Sequence, residues 1–176
     1  MLEGRNIRLK LGDKEEIDFF VDFWNNLEYE AETDPILDQM TKAEAEKRFA
    51  DTSNKAYFII QKKDGTNIGI TVYIGPSAGA VTIGYAVVPS EQGKGYGTEA
   101  LQLMLDYLFL AKEIHKVKAN TDPDNKVSQH LLEKAGFKKE GVARKNNFIR
   151  GQWRDEYLYS ILREEWKEPK ILTKTA

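Results

Sequence analysis

The chain has 176 residues, a formal net charge of −2 and no cysteine. A chain of this length can bury a sizeable core, and we predict one domain over 1–166 followed by a polar tail, 167–176. The absence of cysteine excludes disulfides, thiolate metal sites and a cysteine nucleophile. The near-neutral charge argues against a general nucleic-acid binder. Because no signal peptide or membrane-length apolar run is visible, we expect a cytoplasmic protein without a membrane partner.

The first elements are predicted to be a strand and a helix. Residues 6–11 alternate apolar and basic side chains, a pattern typical of a half-buried strand. Asp13, with Glu16 three residues later, predicts a capping box at the start of a helix. The pair of asparagines at 25 and 26 should end that helix.

An acidic segment and a second helix are expected next. The segment carries no Lys or Arg, and it includes Glu28, Glu30 and Glu32. We hypothesise that these carboxylates attract a cationic substrate. Thr41 and Glu44 then predict a capping box for a helix over 41–50.

Three antiparallel strands are predicted in the middle of the chain. Residues 56–62 and 67–74 flank Asp64 and Gly65, which is a strong hairpin signal. A third strand, 80–88, follows a second turn and ends at a proline. It leads directly into the loop Gln92-Gly93-Lys94-Gly95-Tyr96-Gly97 and then into an apolar helix that starts near Thr98.

The last part of the chain is predicted to alternate strands with one more helix. A strand over 116–121 follows a helical crossover, so it should lie parallel to the third strand of the meander. A helix over 126–135 should end at Gly136, followed by a strand over 137–144, a break at two asparagines and a strand over 153–162. The element order predicts an α/β fold, more specifically an α+β arrangement with a mixed sheet.

The glycine-rich loop predicts an anion site, because the first amides of a helix have no intrahelical partner and carry the positive end of its dipole. The Walker A spacing fails, since Gly93 and Lys94 are followed by Gly95 rather than Ser or Thr. The dinucleotide spacing also fails, because Thr98 occupies the position of its third glycine. The pattern that remains is Q-x-x-G-x-G.

With this pattern, the chain resembles the GNAT superfamily of N-acetyltransferases, and most closely its ribosomal-protein alanine acetyltransferase branch (RimJ/RimL-like). The resemblance covers most of the chain. It rests on IRL at 7–9, IGYAVVP at 83–89, QGKGYGTEAL at 92–101, N-x-x-S at 125–128, LEKAGFKKEG at 132–141 and GQWRDEYLYSIL at 151–162.

The resemblance implies that acetyl-CoA is the acetyl donor and that no metal takes part. It implies a mostly antiparallel sheet splayed between the predicted fourth and fifth strands, with the pantetheine arm of the cofactor pairing along the fourth. A backbone N–H there would stabilise the thioester oxyanion. Thr98 can also cap the helix, and Asn125 resembles the family asparagine that bonds the cofactor arm. The implied cofactor-binding residues are Ala86, Val87, Val88, Gln92, Gly93, Lys94, Gly95, Tyr96, Gly97, Thr98, Asn125 and Ser128.

The catalytic groups are predicted from the position where the family has its tyrosine acid and from nearby carboxylates. Many relatives have a tyrosine acid seven residues after the asparagine, where this chain has Leu132. We choose Ser128 as its substitute, in line with the serine of the ribosomal-protein branch. Glu140, Asp155 and an acid from the Glu28–Asp34 loop are candidate bases, acting through water. Tyr85 is a candidate substrate contact, with core packing as the alternative interpretation.

The predicted activity is direct acetyl transfer to a primary amine in a ternary complex, because no cysteine is available for a thioester intermediate. The acceptor is a protein N-terminus or a small amine, such as a polyamine or an antibiotic. A non-catalytic acetyl-CoA-binding regulatory module is the alternative. A homodimer is one option for the oligomeric state, since dimers are common in such families.

Overall fold

The computed structural model describes residues 1–26 and 39–172. The acidic candidates Glu28, Glu30 and Glu32 lie outside the described residues. The strands are β1 (Leu2–Glu3), β2 (Ile7–Leu11), β3 (Lys55–Lys62), β4 (Asn67–Ser77), β5 (Ala80–Val87), β6 (Lys116–Thr121), β7 (Lys138–Ile149) and β8 (Gln152–Leu162). The α-helices of this part of the chain are α1 (Ile17–Asn25), α2 (Lys42–Ala50), α3 (Tyr96–Ala111) and α4 (Lys126–Lys134).

The described strands form one mixed sheet in the order β1-β2-β3-β4-β5-β6-β8-β7. All neighbouring strands in it are antiparallel except β5 and β6. The predicted fold class is therefore confirmed, although the insertion of β8 between β6 and β7 was not foreseen.

The two predicted capping boxes are present. Asp13 and Glu16 form one at a single 3₁₀ turn, Lys14–Glu16, that leads into α1. Thr41 and Glu44 form the other at the start of α2. Each box satisfies amides that the helical hydrogen-bond ladder leaves without partners, which explains why the local sequence located both helix starts.

Helix α3 is the most buried helix described, with Leu101, Leu103, Met104 and Leu108 at 0–1% exposure. It packs against β5 and β2, so the loop before it is held at the end of β5. The helix begins at Tyr96 rather than near Thr98, because Gly95 takes a left-handed conformation as the N-cap. The prediction that Thr98 caps the helix was therefore wrong.

Strand β7 continues past the predicted break. Asn147 pairs with Arg154 on β8 after a register shift, and Lys145 in that bulge has a φ of 46°. Asn146 and Asn147 donate their side-chain amides to the Glu156 carboxylate across the hairpin. Asparagine favours turns because its side chain bonds nearby backbone. Here the side chains bond the neighbouring strand instead, and the hairpin stays intact.

The polar tail after Trp166 is anchored to α3 over its described part. The Asp106 carboxylate on α3, at 0% exposure, accepts hydrogen bonds from the backbone N–H groups of Lys170, Ile171 and Leu172. It also accepts from Trp166 Nε1 at 3.0 Å. A buried carboxylate needs such donors, so the polar composition of the segment concealed an anchor made by its backbone. The predicted domain boundary at residue 166 remains a prediction.

Candidate active site

The glycine-rich loop leaves the first amides of α3 available to a ligand. Its N-cap, Gly95, has a φ of 87° and no side chain that could cap the helix. The Glu99 N–H donates to the Gly95 carbonyl at 3.0 Å, so the amides of the three preceding residues have no acceptor within the helix. These amides and the helix dipole together attract an anion.

Two of the loop glycines face open space. A Cβ built on Gly93 or Gly95 would meet no heavy atom within 4 Å. A ligand can therefore reach the backbone at both positions. Gly97 has a different reason to be glycine, because its Cβ would lie 3.2 Å from Leu131 Cδ1. The close packing of α3 against α4 therefore favours a residue without a Cβ at position 97.

The polar side chains of the loop tie it to the sheet and to itself. Gln92 Nε2 donates to the Val87 carbonyl at 2.9 Å, which fixes the loop to the end of β5. Lys94 Nζ lies 2.8 Å from Glu91 Oε2, and this contact lowers the pKa of Glu91. Tyr96 packs against the core while partly exposed. A phosphate contact by Lys94 would compete with this ion pair.

A gap opens beside the outer half of β5. The parallel pairing of β5 with β6 joins Ala80–Thr82 to Lys116–Lys118 and includes no later residue of β5. The predicted splay is confirmed. The Val88 N–H donates to the Ile68 carbonyl, on the β4 side. Because backbone groups alternate sides along a strand, the N–H groups of Tyr85 and Val87 point into the gap. Those of Ala86 and Val88 point away from it.

Helix α4 begins beside this gap. Asn125 is its N-cap, and Asn125 Oδ1 accepts a hydrogen bond from the Ser128 N–H at 3.0 Å. Ser128 Oγ lies 3.1 Å from the Tyr85 hydroxyl on β5. Leu132 is 0% exposed, so the position of the missing tyrosine lies in the core. The structure thus brings together Tyr85, Asn125 and Ser128, although the sequence predicted a separate role for Tyr85.

Arg154 holds the loop before α4 in place, and the sequence analysis missed this role. Its Nε and Nη2 donate to the two Asp122 carboxylate oxygens at 2.5 and 2.8 Å, and Nη2 also contacts Asp124. The Asp122 side chain is 1% exposed, and the guanidinium lowers the pKa of its carboxyl. Arg154 and Asp122 lie 32 residues apart, and no sequence spacing marks such a pair.

Among the described residues, the candidate bases Glu140 and Asp155 do not join this group. Glu140 contacts Lys116 Nζ at 2.7 Å, and this lysine lowers its pKa. Lys116 pairs with Ala80, so this contact lies about 16 Å along the strand from Tyr85. Asp155 Oδ1 accepts a hydrogen bond from the Lys145 N–H at 2.9 Å and supports the bulge of β7.

A cationic cavity of about 440 Å³ borders the first turns of α3. Arg5, Lys134 and Lys170 line it, together with Gly95 and the α3 side chains Thr98, Glu99 and Gln102. None of the three cations forms an ion pair with a carboxylate of the described residues. The Glu99 carboxylate instead accepts from the backbone and side-chain N–H groups of Asn6. The cavity extends the anion site with positive charge.

Two features are absent from residues 1–26 and 39–172. No helix there is long and apolar enough to cross a membrane. No group of three His, Asp or Glu side chains there is arranged to hold a metal ion.

The splayed mixed sheet and the open glycine backbone at the start of α3 form a site suited to an anionic ligand. A family model described as an acetyltransferase (GNAT) domain matches residues 7–138. The chain therefore belongs to the GNAT acetyltransferase family, as the sequence motifs predicted. The description of this family names acetyl transfer, which is the activity that the sequence predicted.

Known relatives agree with this assignment. The chain is 46% identical over 80 residues to the probable N-acetyltransferase YjcK of Bacillus subtilis, covering 46% of this chain and 44% of that protein. It is 40% identical over 87 residues to the ribosomal protein uS5-alanine N-acetyltransferase of Escherichia coli, covering 49% and 45%. The matched segments thus span less than half the length of either relative.

A solved structure has the same fold over nearly its whole length. The spermidine N-acetyltransferase of Vibrio cholerae, in complex with CoA and spermine, superposes with a TM-score of 0.82 and 22% identity, covering 93% of this chain and 99% of that one. At this identity the likeness supports the fold alone.

Proposed function

We propose that this chain transfers the acetyl group of acetyl-CoA to a primary amine by direct attack. The observation that carries the proposal is the continuity of two features. The anion site at the start of α3 meets the gap beside β5 through Gln92, whose side chain bonds the Val87 carbonyl. A ligand with phosphates at one end and a thioester at the other end of a long arm fits both.

The residues present are suited to this cofactor. The open backbone at Gly93 and Gly95 can receive its diphosphate, and Lys134 and Lys170 are cations available to its phosphates. The inward N–H groups of Tyr85 and Val87 can bond the amides of its arm as a neighbouring strand would. The cofactor supplies a thioester, whose carbonyl carbon accepts the amine.

Two groups of the chain, together with water, would act on the reaction. An N–H of Tyr85 or Val87 stabilises the negative charge that develops on the carbonyl oxygen. Ser128 presents the one hydroxyl on α4 to the departing sulfur. Because Glu140 and Asp155 are bound elsewhere, proton removal from the attacking amine is assigned to water.

The acceptor is proposed as a class rather than a compound. One relative is named for the alanine of ribosomal protein uS5, and the V. cholerae enzyme for spermidine. We therefore propose a protein N-terminus or a polyamine, with an antibiotic amine as a further option. A cytoplasmic location, homodimerisation, and the lack of a nucleic-acid, membrane or metal partner are proposed on the sequence arguments.

A non-catalytic acetyl-CoA-binding module is the second candidate, favoured by the buried Leu132 in place of a tyrosine acid. An assay of thiol release from acetyl-CoA separates the two. The panel contains a peptide with an N-terminal alanine, spermidine and an aminoglycoside, and the control reaction omits the amine. The proposal expects release that depends on one of these amines. Tight binding of acetyl-CoA with no amine-dependent release would favour the module.

A further inference from the structure

One contact crosses the site at the point where the sheet opens. Tyr85, on β5, reaches across to Ser128 in the first turn of α4, and their oxygen atoms lie 3.1 Å apart. The two residues lie 43 positions apart in the chain. The contact therefore depends on the fold, and it joins the strand that borders the gap to the helix that begins beside it.

Either hydroxyl of this pair can donate the hydrogen bond. Burial raises the pKa of Tyr85 to about 12, so its phenol keeps its proton at neutral pH. A phenol that donates to Ser128 Oγ leaves the serine proton available for another acceptor. The serine backbone is already fixed by the Asn125 cap. The side-chain torsions of Ser128 then decide where its hydroxyl proton points.

We propose that Tyr85 is a positioning residue for Ser128. This role accounts for the lack of a tyrosine acid at Leu132. The Tyr85 hydroxyl donates to Ser128 Oγ and turns the serine O–H toward the sulfur that leaves in acetyl transfer. This inference rests on the proposed function.

The chemistry balances without a further reactant. The amine nitrogen forms a bond to the carbonyl carbon, and the C–S bond breaks with its electron pair on sulfur. The nitrogen loses one proton to water and the thiolate gains one from water. The Ser128 hydroxyl stabilises the thiolate by a hydrogen bond and keeps its own proton.

The test is a double-mutant cycle of Tyr85→Phe and Ser128→Ala. Tyr85→Phe removes only the hydroxyl, so kcat should fall about tenfold, as expected for the loss of one oriented hydrogen bond to a charged group. The KM for acetyl-CoA, and its Kd measured by calorimetry, should stay within about twofold, because the phosphate and arm contacts are untouched. The double variant should be no slower than Ser128→Ala, because Tyr85 acts through Ser128.

A matched control exists on the same helix. The Tyr159 hydroxyl is also buried and donates to Glu133 Oε1 on α4 at 3.0 Å. Tyr159→Phe therefore removes a similar bridge to α4 without touching Ser128, and its kcat should match the wild type. If the kcat of Tyr159→Phe fell as far as that of Tyr85→Phe, the effect of Tyr85 would be structural and the proposal would be overturned.

Two further outcomes separate this inference from the proposed function. Normal kcat in Tyr85→Phe, or losses that multiply in the double variant, would overturn the inference alone. A wild-type chain that binds acetyl-CoA but releases no thiol with any amine would overturn the proposed function and this inference with it.

Discussion

Replacing Gly95 by Asp or by Asn tests the anion site with two side chains of nearly equal size. At a φ of 87° either residue takes a left-handed conformation, which costs about 1 kcal/mol. Neither Cβ meets an atom within 4 Å, so no clash adds to this cost. For a chain of this length, both variants should melt about 3 °C below the wild type. The pair then differs only in charge.

The charge should separate their affinities for acetyl-CoA. A carboxylate about 6 Å from a bound phosphate repels it by about 3 kcal/mol at an effective dielectric constant of 20. Screening by salt reduces this to about 2 kcal/mol, which is a loss of about 30-fold in Kd. Gly95→Asn should bind within about threefold of the wild type.

Thermal melting with and without cofactor measures this difference. At a concentration 100 times the wild-type Kd, acetyl-CoA should stabilise the wild type by about 2.7 kcal/mol. Gly95→Asp should gain less than about 1 kcal/mol at the same concentration. Equal stabilisation of the Asp and Asn variants would refute the placement of phosphates at the start of α3.

Three other changes test the surroundings of the site. Arg154→Gln should cost about 3 kcal/mol of unfolding free energy at pH 7, because the buried Asp122 carboxylate loses its partner. Since Arg154 lowers the pKa of Asp122, this stabilisation is complete above about pH 4 and is lost as the pH falls through the lowered value. Removing residues 167–176 deprives the Asp106 carboxylate of three backbone donors and should cost about 3 kcal/mol, measured by urea unfolding. Lys170→Glu should raise the Kd of acetyl-CoA about fivefold at low salt and less at high salt.

Each of these changes has a control. Equal losses of unfolding free energy for Arg154→Gln at pH 7 and pH 3 would contradict the link to Asp122. A chain that ends at Leu172 keeps every described donor to Asp106, so it should unfold like the full chain. Lys167→Glu, at an exposed lysine outside the cationic cavity, should leave the Kd unchanged; a matching increase would point to a general charge effect.

The sequence predicted the structural features that depend on residues close together in the chain. The capping boxes at Asp13 and Thr41, the hairpin at Gly65 and the strand, loop and helix around Gly95 are all local patterns. The parallel pairing of β6 followed from the crossover rule. These features set most of the fold and the position of the glycine-rich loop.

The parts that the sequence could not predict depend on topology. The hydrogen bond between Tyr85 and Ser128 and the pairing of Arg154 with Asp122 each join distant positions, and neither leaves a periodic signal. Glu140 qualified by residue type alone, and the fold placed it beside Lys116.

A calorimetric titration of the wild-type chain with acetyl-CoA tests the central claim most directly, with desulfo-CoA and AMP as companion ligands. The account predicts binding of one acetyl-CoA per chain in the micromolar range, retained for desulfo-CoA because the phosphate and arm contacts remain. AMP should bind far more weakly, because it lacks both the diphosphate and the arm. No heat of binding from acetyl-CoA at millimolar concentration, or equal affinity for AMP, would contradict the account.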